Sequence, residues 1–263
     1  MKLKLIIYFI FSLYTFSSNT PIIIYCDSNY FPLSYEENGE AKGLYIDILN
    51  HIFSKMKNYN IKIQPIPWER GKILMKEGRG FALVPPYYHG YDWKYIYPYS
   101  LPLFTEEAFM ISLKDSKNYN LKFPEDYYNK TIANIRGYDG WLSPQLRKLI
   151  FNKYIKYDDT SLTPEQQLRK LIDKRVDFII LEKFTFEYAL KILRKNKVTN
   201  KKLSDFNIEF TITKEPVYIG YSKYFKADYS LSFRQEFDNL LYLARKNNEL
   251  EKIIDKYRKK LEK

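Results

Sequence analysis

Residues 22–66 read IIIYCDSNYFPLSYEENGEAKGLYIDILNHIFSKMKNYNIKIQPI, and their hydrophobic period changes twice. Ile22 to Tyr25 form an unbroken apolar run, as in a strand buried on both faces. Tyr45, Ile48, Leu49, Ile52, Phe53 and Met56 then recur at three- and four-residue intervals, which places them on one face of a helix. Ile61, Ile63 and Ile66 return to a strand. Beyond this stretch Ile73 and Leu74 lie on a second helix, and Phe81 to Val84 form another short apolar strand. Strand, helix, strand, helix, strand predicts a parallel sheet covered by helices.

A second unit of the same kind follows. Thr131 to Ile135 read as a strand ending in Arg136-Gly137, and Trp141 to Phe151 are helical in composition. Thr163-Pro164-Glu165-Gln166 is a helix start, with a capping hydroxyl, proline at the first helical position and Gln three residues on. Leu168, Leu171 and Ile172 supply that helix with a buried stripe, Val176 to Leu181 a buried strand, and Thr185 to Lys195 a further helix. Asn196 to Ser204 are basic and polar. Val217 to Tyr221 predict a strand returning to the first unit, and Phe233, Phe237, Leu240, Leu241 and Ala244 a closing helix. Two α/β units joined by two crossings make a hinge with a cleft between them. The expected organisation is one lobe over residues 19–110 plus 218–263 and a second over 111–217.

The segment from Pro85 to Pro102 carries Tyr87, Tyr88, Tyr91, Trp93, Tyr95, Tyr97 and Tyr99. Flat, stiff rings beside prolines suit the wall of a ligand cleft. Tyr supplies 26 of the 263 residues, so composition alone also delivers an aromatic loop.

Lys2 and Lys4, the apolar run Leu5 to Tyr14, and the small residues around Thr15-Phe16-Ser17 form a secretory signal over residues 1–18, cleaved near Ser17 or Ser18. The run falls short of the roughly 20 residues a spanning helix needs. Cys26 follows Tyr25, where a lipidation signal has a small residue, so the expected product is a soluble periplasmic protein. As the only cysteine, Cys26 leaves no intrachain disulfide and no paired-thiol metal site. With His51 and His89 the only histidines, neither a metal nor a cofactor is expected. The formal charge of +12 falls to +10 once Lys2 and Lys4 leave. The basic residues are dispersed among acidic ones, without a nucleic-acid motif.

The chain resembles the type 2 periplasmic substrate-binding proteins, in the branch that serves polar amino-acid importers, solute-binding protein family 3. The resemblance rests on Tyr30-Phe31-Pro32-Leu33-Ser34-Tyr35 after the first strand, then Asn38-Gly39 and Gly43-Leu44-Tyr45-Ile46-Asp47. Pro67-Trp68-Glu69-Arg70, Tyr99-Ser100-Leu101-Pro102 and Arg175-Val176-Asp177 follow in the family's order. It implies an α/β, two-lobed fold joined by a two-strand hinge, a monomer that closes on a small solute, and delivery to the membrane subunits of an ABC importer.

By the same resemblance Tyr30 and Tyr35 match aromatic positions that pack on the ligand, and Trp68 flanks the cleft floor. Glu182 matches an acidic residue that pairs with a ligand ammonium, and Arg136 lies where the second lobe turns from strand to helix. The family's arginine clamp on a ligand carboxylate would fall at Trp93, and the preceding threonine at Gly90. Without that fork the expected ligand is amine-bearing and leans on Tyr87, Tyr88 and Trp93 by stacking or cation–π contact. Arg70, Arg136 and Lys94 are the alternative sources of positive charge. Two other classes remain: a dehydratase-like enzyme on the same fold, with His89 or Glu182 as acid or base, and a surface protein whose tyrosines bind a macromolecule. No motif enforces catalytic geometry, and no catalytic residue is assigned.

Overall fold

The computed structural model describes residues 21–114 and 121–262. The export signal expected over residues 1–18 lies outside them. The first sheet begins with β1 (Ile22–Asp27), which leads into a small antiparallel sheet of β2 (Asn29–Tyr30), β3 (Ser34–Glu37) and β4 (Glu40–Lys42). Then come α1 (Leu44–Phe53), β5 (Ile61–Ile66), α2 (Trp68–Lys76), β6 (Ala82–Val84) and β7 (Ile96–Tyr99). The chain crosses into a second sheet through β8 (Phe104–Leu113), β9 (Thr131–Ile135), α3 (Pro144–Phe151), β10 (Lys156–Ser161), α4 (Pro164–Ile172), β11 (Phe178–Glu182), α5 (Lys183–Lys195) and β12 (Phe206–Val217). It returns as β13 (Gly220–Ser222) and ends with α6 (Ser230–Lys246) and α7 (Glu249–Glu262).

The sheet orders are β5-β1-β6-β13-β7 and β10-β9-β11-β8-β12. Both are mixed, which the sequence pattern did not show. β1 runs parallel to β5 and β6, but β13 is antiparallel to β6 and β7. β9 runs parallel to β10 and β11, but β8 is antiparallel to β11 and β12. The parallel strands are those joined by helical crossovers, and the antiparallel ones belong to the two crossings between sheets. Those crossings lie side by side. Leu103 N–H donates to Val217 O at 2.7 Å, and Ser100 N–H to Ile219 O at 2.9 Å. The expected boundary at residue 110 falls inside β8, whose pairing with β12 begins at Phe104.

Local rules account for most elements. Thr163 Oγ1 accepts from Gln166 N–H at 3.3 Å, and the Gln166 side chain accepts from Leu162 N–H at 2.9 Å, so α4 starts where its sequence signature says. On α2 the buried face is Trp68, Gly71 and Met75, while Ile73 is exposed. β10 escapes a hydrophobic-pattern reading because it is an edge strand rich in charged residues, whereas β12, the other edge of that sheet, carries Phe206, Ile208, Phe210 and Ile212 in strand alternation. Phe81 packs in an aromatic cluster with Tyr221, Phe225, Tyr229 and Phe233, at ring distances of 5.3–5.6 Å. Cys26 is buried in β1, and burial pushes its thiol up to about 12, far from reactive range. No helix among the described residues is long and apolar enough to cross a membrane.

Gly43 sets the entry of α1. Its φ of 122° is a region that favours glycine, and an added Cβ would lie 2.4 Å from the Leu33 carbonyl oxygen. The same approach lets Pro32 O and Leu33 O accept from Leu44 and Tyr45 N–H at 3.2 and 2.9 Å, capping the helix with backbone instead of a side chain. Gly43→Ala is expected to destabilise the protein by at least about 1 kcal/mol, read as a lower urea midpoint at unchanged slope.

Candidate ligand-binding site

The cleft lies where strands of both sheets end at their carboxyl edges, the usual ligand position in open α/β sheets. From the first lobe β1 contributes Asp27, β2 contributes Tyr30, and the first turn of α2 contributes Trp68. The segment after β6 adds Pro85, Pro86, Tyr87, His89 and Trp93. Glu106 enters from β8, and Tyr138, Gly140 and Trp141 from the turn after β9. They leave a cavity of about 40 Å³, room for a few water molecules, so a larger solute requires the two sides to part.

Glu106 is 1 % exposed, and three phenols converge on it. Tyr30 donates to Oε2 at 2.7 Å; Tyr87 donates to the same oxygen and Tyr45 to Oε1. Burial raises its pKa, and the three donors oppose that rise. Burial and the neighbouring carboxylate hold all three phenols well above their ordinary pKa, so they remain donors.

Asp27 is the second buried acid, 2 % exposed. Burial pushes it up to about 6, against the pull of the Tyr138 hydroxyl and the Asn29 and Ser28 amides. Asn29 N–H donates to Oδ1 at 2.9 Å and Tyr138 donates to Oδ2 across the cleft.

The aromatic wall is continuous. His89 stacks on Trp93 at 4.1 Å with planes 23° apart, and Trp93 meets Trp68 at 6.1 Å. Tyr30 meets Tyr138 edge-on at 5.3 Å, and Tyr138 meets Trp141 at 5.4 Å. Trp141 Nε1–H donates to the Tyr87 hydroxyl at 2.5 Å, joining the lobes. Lys72 closes the rim, donating to Gly137 O at 3.2 Å and pairing with Asp139 at 3.3 Å.

Of the residues expected at the site, Tyr30, Trp68, Tyr87 and Trp93 line this cleft, and Tyr35, Arg70, Tyr88, Arg136 and Glu182 do not. Tyr35 packs on Phe31 at 4.6 Å, away from the lining. Arg70 and Arg136 are exposed. Tyr88 is 57 % exposed and packs on Tyr99. Lys94, the other source of positive charge considered, is exposed as well. Glu182 is buried and caps α5, accepting from Thr185 N–H at 2.9 Å, and it lines a separate groove beside the hinge strands. Burial and the charge of Glu106 raise its pKa. Asp27 was open to the same reasoning that singled out Glu182, since it is a charged residue ending a buried strand. Glu106 had no such signal: it sits inside β8, in the polar stretch Thr105-Glu106-Glu107.

The model of the bacterial extracellular solute-binding proteins, family 3, matches residues 22–260. The chain belongs to that family. No curated protein matches this solute-binding protein. Solved structures share its fold at low identity. A mutant arginine-binding protein from T. maritima is 17 % identical with a TM-score of 0.68, covering 92 % of this chain and 96 % of that one. A histidine kinase sensor domain described as similar to periplasmic binding proteins is 18 % identical, with a TM-score of 0.70 and coverage of 90 % and 96 %. A structure reported for glutathione import through a cystine ABC importer of Streptococcus mutans is 20 % identical, with a TM-score of 0.70 and coverage of 90 % and 94 %.

Tyr45→Phe removes one of the three donors to Glu106 in this solute-binding protein. The loss is expected to cost about 1.5–3 kcal/mol while the carboxyl is ionised, where a hydrogen bond to a charged group is forfeited. It should be smaller at pH 5, where the carboxyl takes up a proton more readily. Chemical denaturation of both proteins at pH 8 and pH 5 checks this.

Proposed function

We propose that this chain is an exported solute receptor, cleaved near Ser17 or Ser18, that closes as a monomer on a small amine-bearing cation and delivers it to the membrane subunits of an ABC importer. In this reading the lobes expected over 19–110 plus 218–263 and over 111–217 rotate about the paired crossings. The observation that carries it is the polarity of the cleft. Two buried carboxylates, Asp27 and Glu106, stand in an aromatic wall, and no Lys or Arg is among the lining residues. A cation is attracted by both carboxylates and by the ring faces. A ligand carboxylate would meet Trp93 where the resemblance places an arginine fork. The lining also holds no Ser, Thr or Cys, so no nucleophile of those types stands in the cleft.

The test is a thermal-shift and calorimetry panel of amines, guanidines and simple carboxylic acids on the mature protein. Amine and guanidine cations are expected to raise the melting temperature and simple acids are not; stabilisation confined to acids lacking a basic nitrogen would sink the reading. Asp27→Asn should weaken cation binding about tenfold to a hundredfold, the worth of one charge-assisted hydrogen bond.

The pH dependence has a definite sign. The folded-state pKa of Asp27 lies near 6, above its ordinary value, so its contribution to stability is present at low pH and is lost as pH rises through about 6. From pH 8 to pH 5 this residue should therefore add stability to the ligand-free protein while cation affinity falls. Parallel melting curves and titrations across that range test both.

A further inference from the structure

His89 stands apart among the polar groups of the cleft. Asp27 accepts at both carboxylate oxygens, and Glu106 accepts from three phenols. Tyr87, Tyr138 and Trp141 all spend their protons on protein acceptors. His89 is 2 % exposed, and among the described residues its Nε2 has no hydrogen-bond partner. An unpaired buried nitrogen is costly to a fold, so its presence in a cleft needs an explanation.

The rest of the ring is held firmly. Nδ1 lies 3.0 Å from Asp92 Oδ1, and an ionised carboxylate only accepts, so Nδ1 carries the proton. Asp92 is in turn 3.7 Å from Arg147 of the second lobe, which donates to Asp139 O at 2.6 Å and Leu142 O at 2.9 Å, bracing the turn that bears Gly140 and Trp141. The ring face stacks on Trp93, and the backbone N–H donates to the Tyr99 hydroxyl at 3.2 Å. Burial lowers the pKa of His89 against the opposing pull of Asp92, which keeps the imidazole neutral. The neutral Nδ1–H tautomer leaves Nε2 a lone-pair acceptor.

Gly140 provides the second observation. A Cβ at this position would lie 2.9 Å from His89 Nε2. The glycine lets the turn of the second lobe approach that nitrogen more closely than a residue with a side chain could.

The geometry points to His89 as a specificity residue that demands an N–H donor on the bound cation, so that the solute is a primary amine, amidine or guanidine and not a quaternary ammonium. This rests on the cation-binding reading above and narrows it. Ring faces attract any cation, and the oxygens of Asp27 and Glu106 already accept from protein donors; the unspent His89 lone pair favours a cation that can donate. A quaternary ammonium would leave Nε2 buried and unpaired in the closed protein.

The probes are n-butylguanidinium and n-butyltrimethylammonium, titrated calorimetrically into the mature protein at pH 8. The guanidinium is expected to bind at least tenfold more tightly. His89→Phe keeps a ring against Trp93 and should lower guanidinium affinity about tenfold while leaving the quaternary ion unchanged. Gly140→Ala, whose Cβ would crowd Nε2, should lower guanidinium affinity as well, and His89→Gln, which keeps an acceptor, should retain part of the preference. Nitrogen-15 spectra of the wild type supply an independent readout, because only His51 and His89 contribute imidazole signals. His89 should show an unprotonated Nε2 that shifts with the guanidinium and not with the quaternary ion. A preference that survives in both His89→Phe and Gly140→Ala, or an Nε2 that is protonated and indifferent to the guanidinium, overturns the role of His89 while leaving cation binding intact. If neither cation binds the wild type, both readings fall.

Discussion

A single buried carboxylate organises this molecule. Glu106 lies on a hinge strand that belongs to the second sheet, while the three phenols that satisfy it come from β2, α1 and the segment after β6 of the first lobe. Taking a carboxylate out of water costs several kcal/mol unless its oxygens are satisfied. Tyr30, Tyr45 and Tyr87 are therefore fixed in position and orientation by one acceptor. Tyrosine suits the task because it combines an apolar body with a hydroxyl that burial keeps protonated. Part of the tyrosine richness of the chain thus answers a local electrostatic demand.

The constraint carries into the cleft. With its hydroxyl held by Glu106, Tyr87 accepts from Trp141 of the opposite lobe, and Tyr30 presents its ring to Tyr138, which reaches back to Asp27. Each link alternates between lobes, so the order of the aromatic wall depends on both. The positive charge near the site is kept at the rim, where Lys72 lies 5.3 Å over the Trp93 ring and is engaged by Glu69, Asp139 and the Gly137 carbonyl. The interior is left to acceptors and ring faces.

The order of elements was legible because hydrophobic periodicity reports burial. The alternation from β1 through β6, the capped start of α4 and the buried β11 all follow from local rules, as do the two crossings. The same rules fail where burial is one-sided or absent. β10 reads as polar because it forms a sheet edge, and the antiparallel half of each sheet has no signature of its own. Four of the nine residues expected at the site line the cleft, all of them aromatic. The residues missed were mainly those whose role depends on a partner distant in sequence: Tyr138 bonds Asp27 from 111 positions away, and Tyr45 bonds Glu106 from 61.

The sequence by itself determined the two α/β units, their order, the two crossings, the family resemblance and the aromatic character of the segment after β6, because each is written in spacing or in residue type along a continuous stretch. Tertiary structure alone decided which charges line the cleft. Glu182 and Asp27 look alike as acids closing buried strands, yet one caps a helix beside the hinge and the other lines the cleft. The direction of a side chain at a strand end is set by what packs against it from the other lobe, and no period in the sequence encodes that contact.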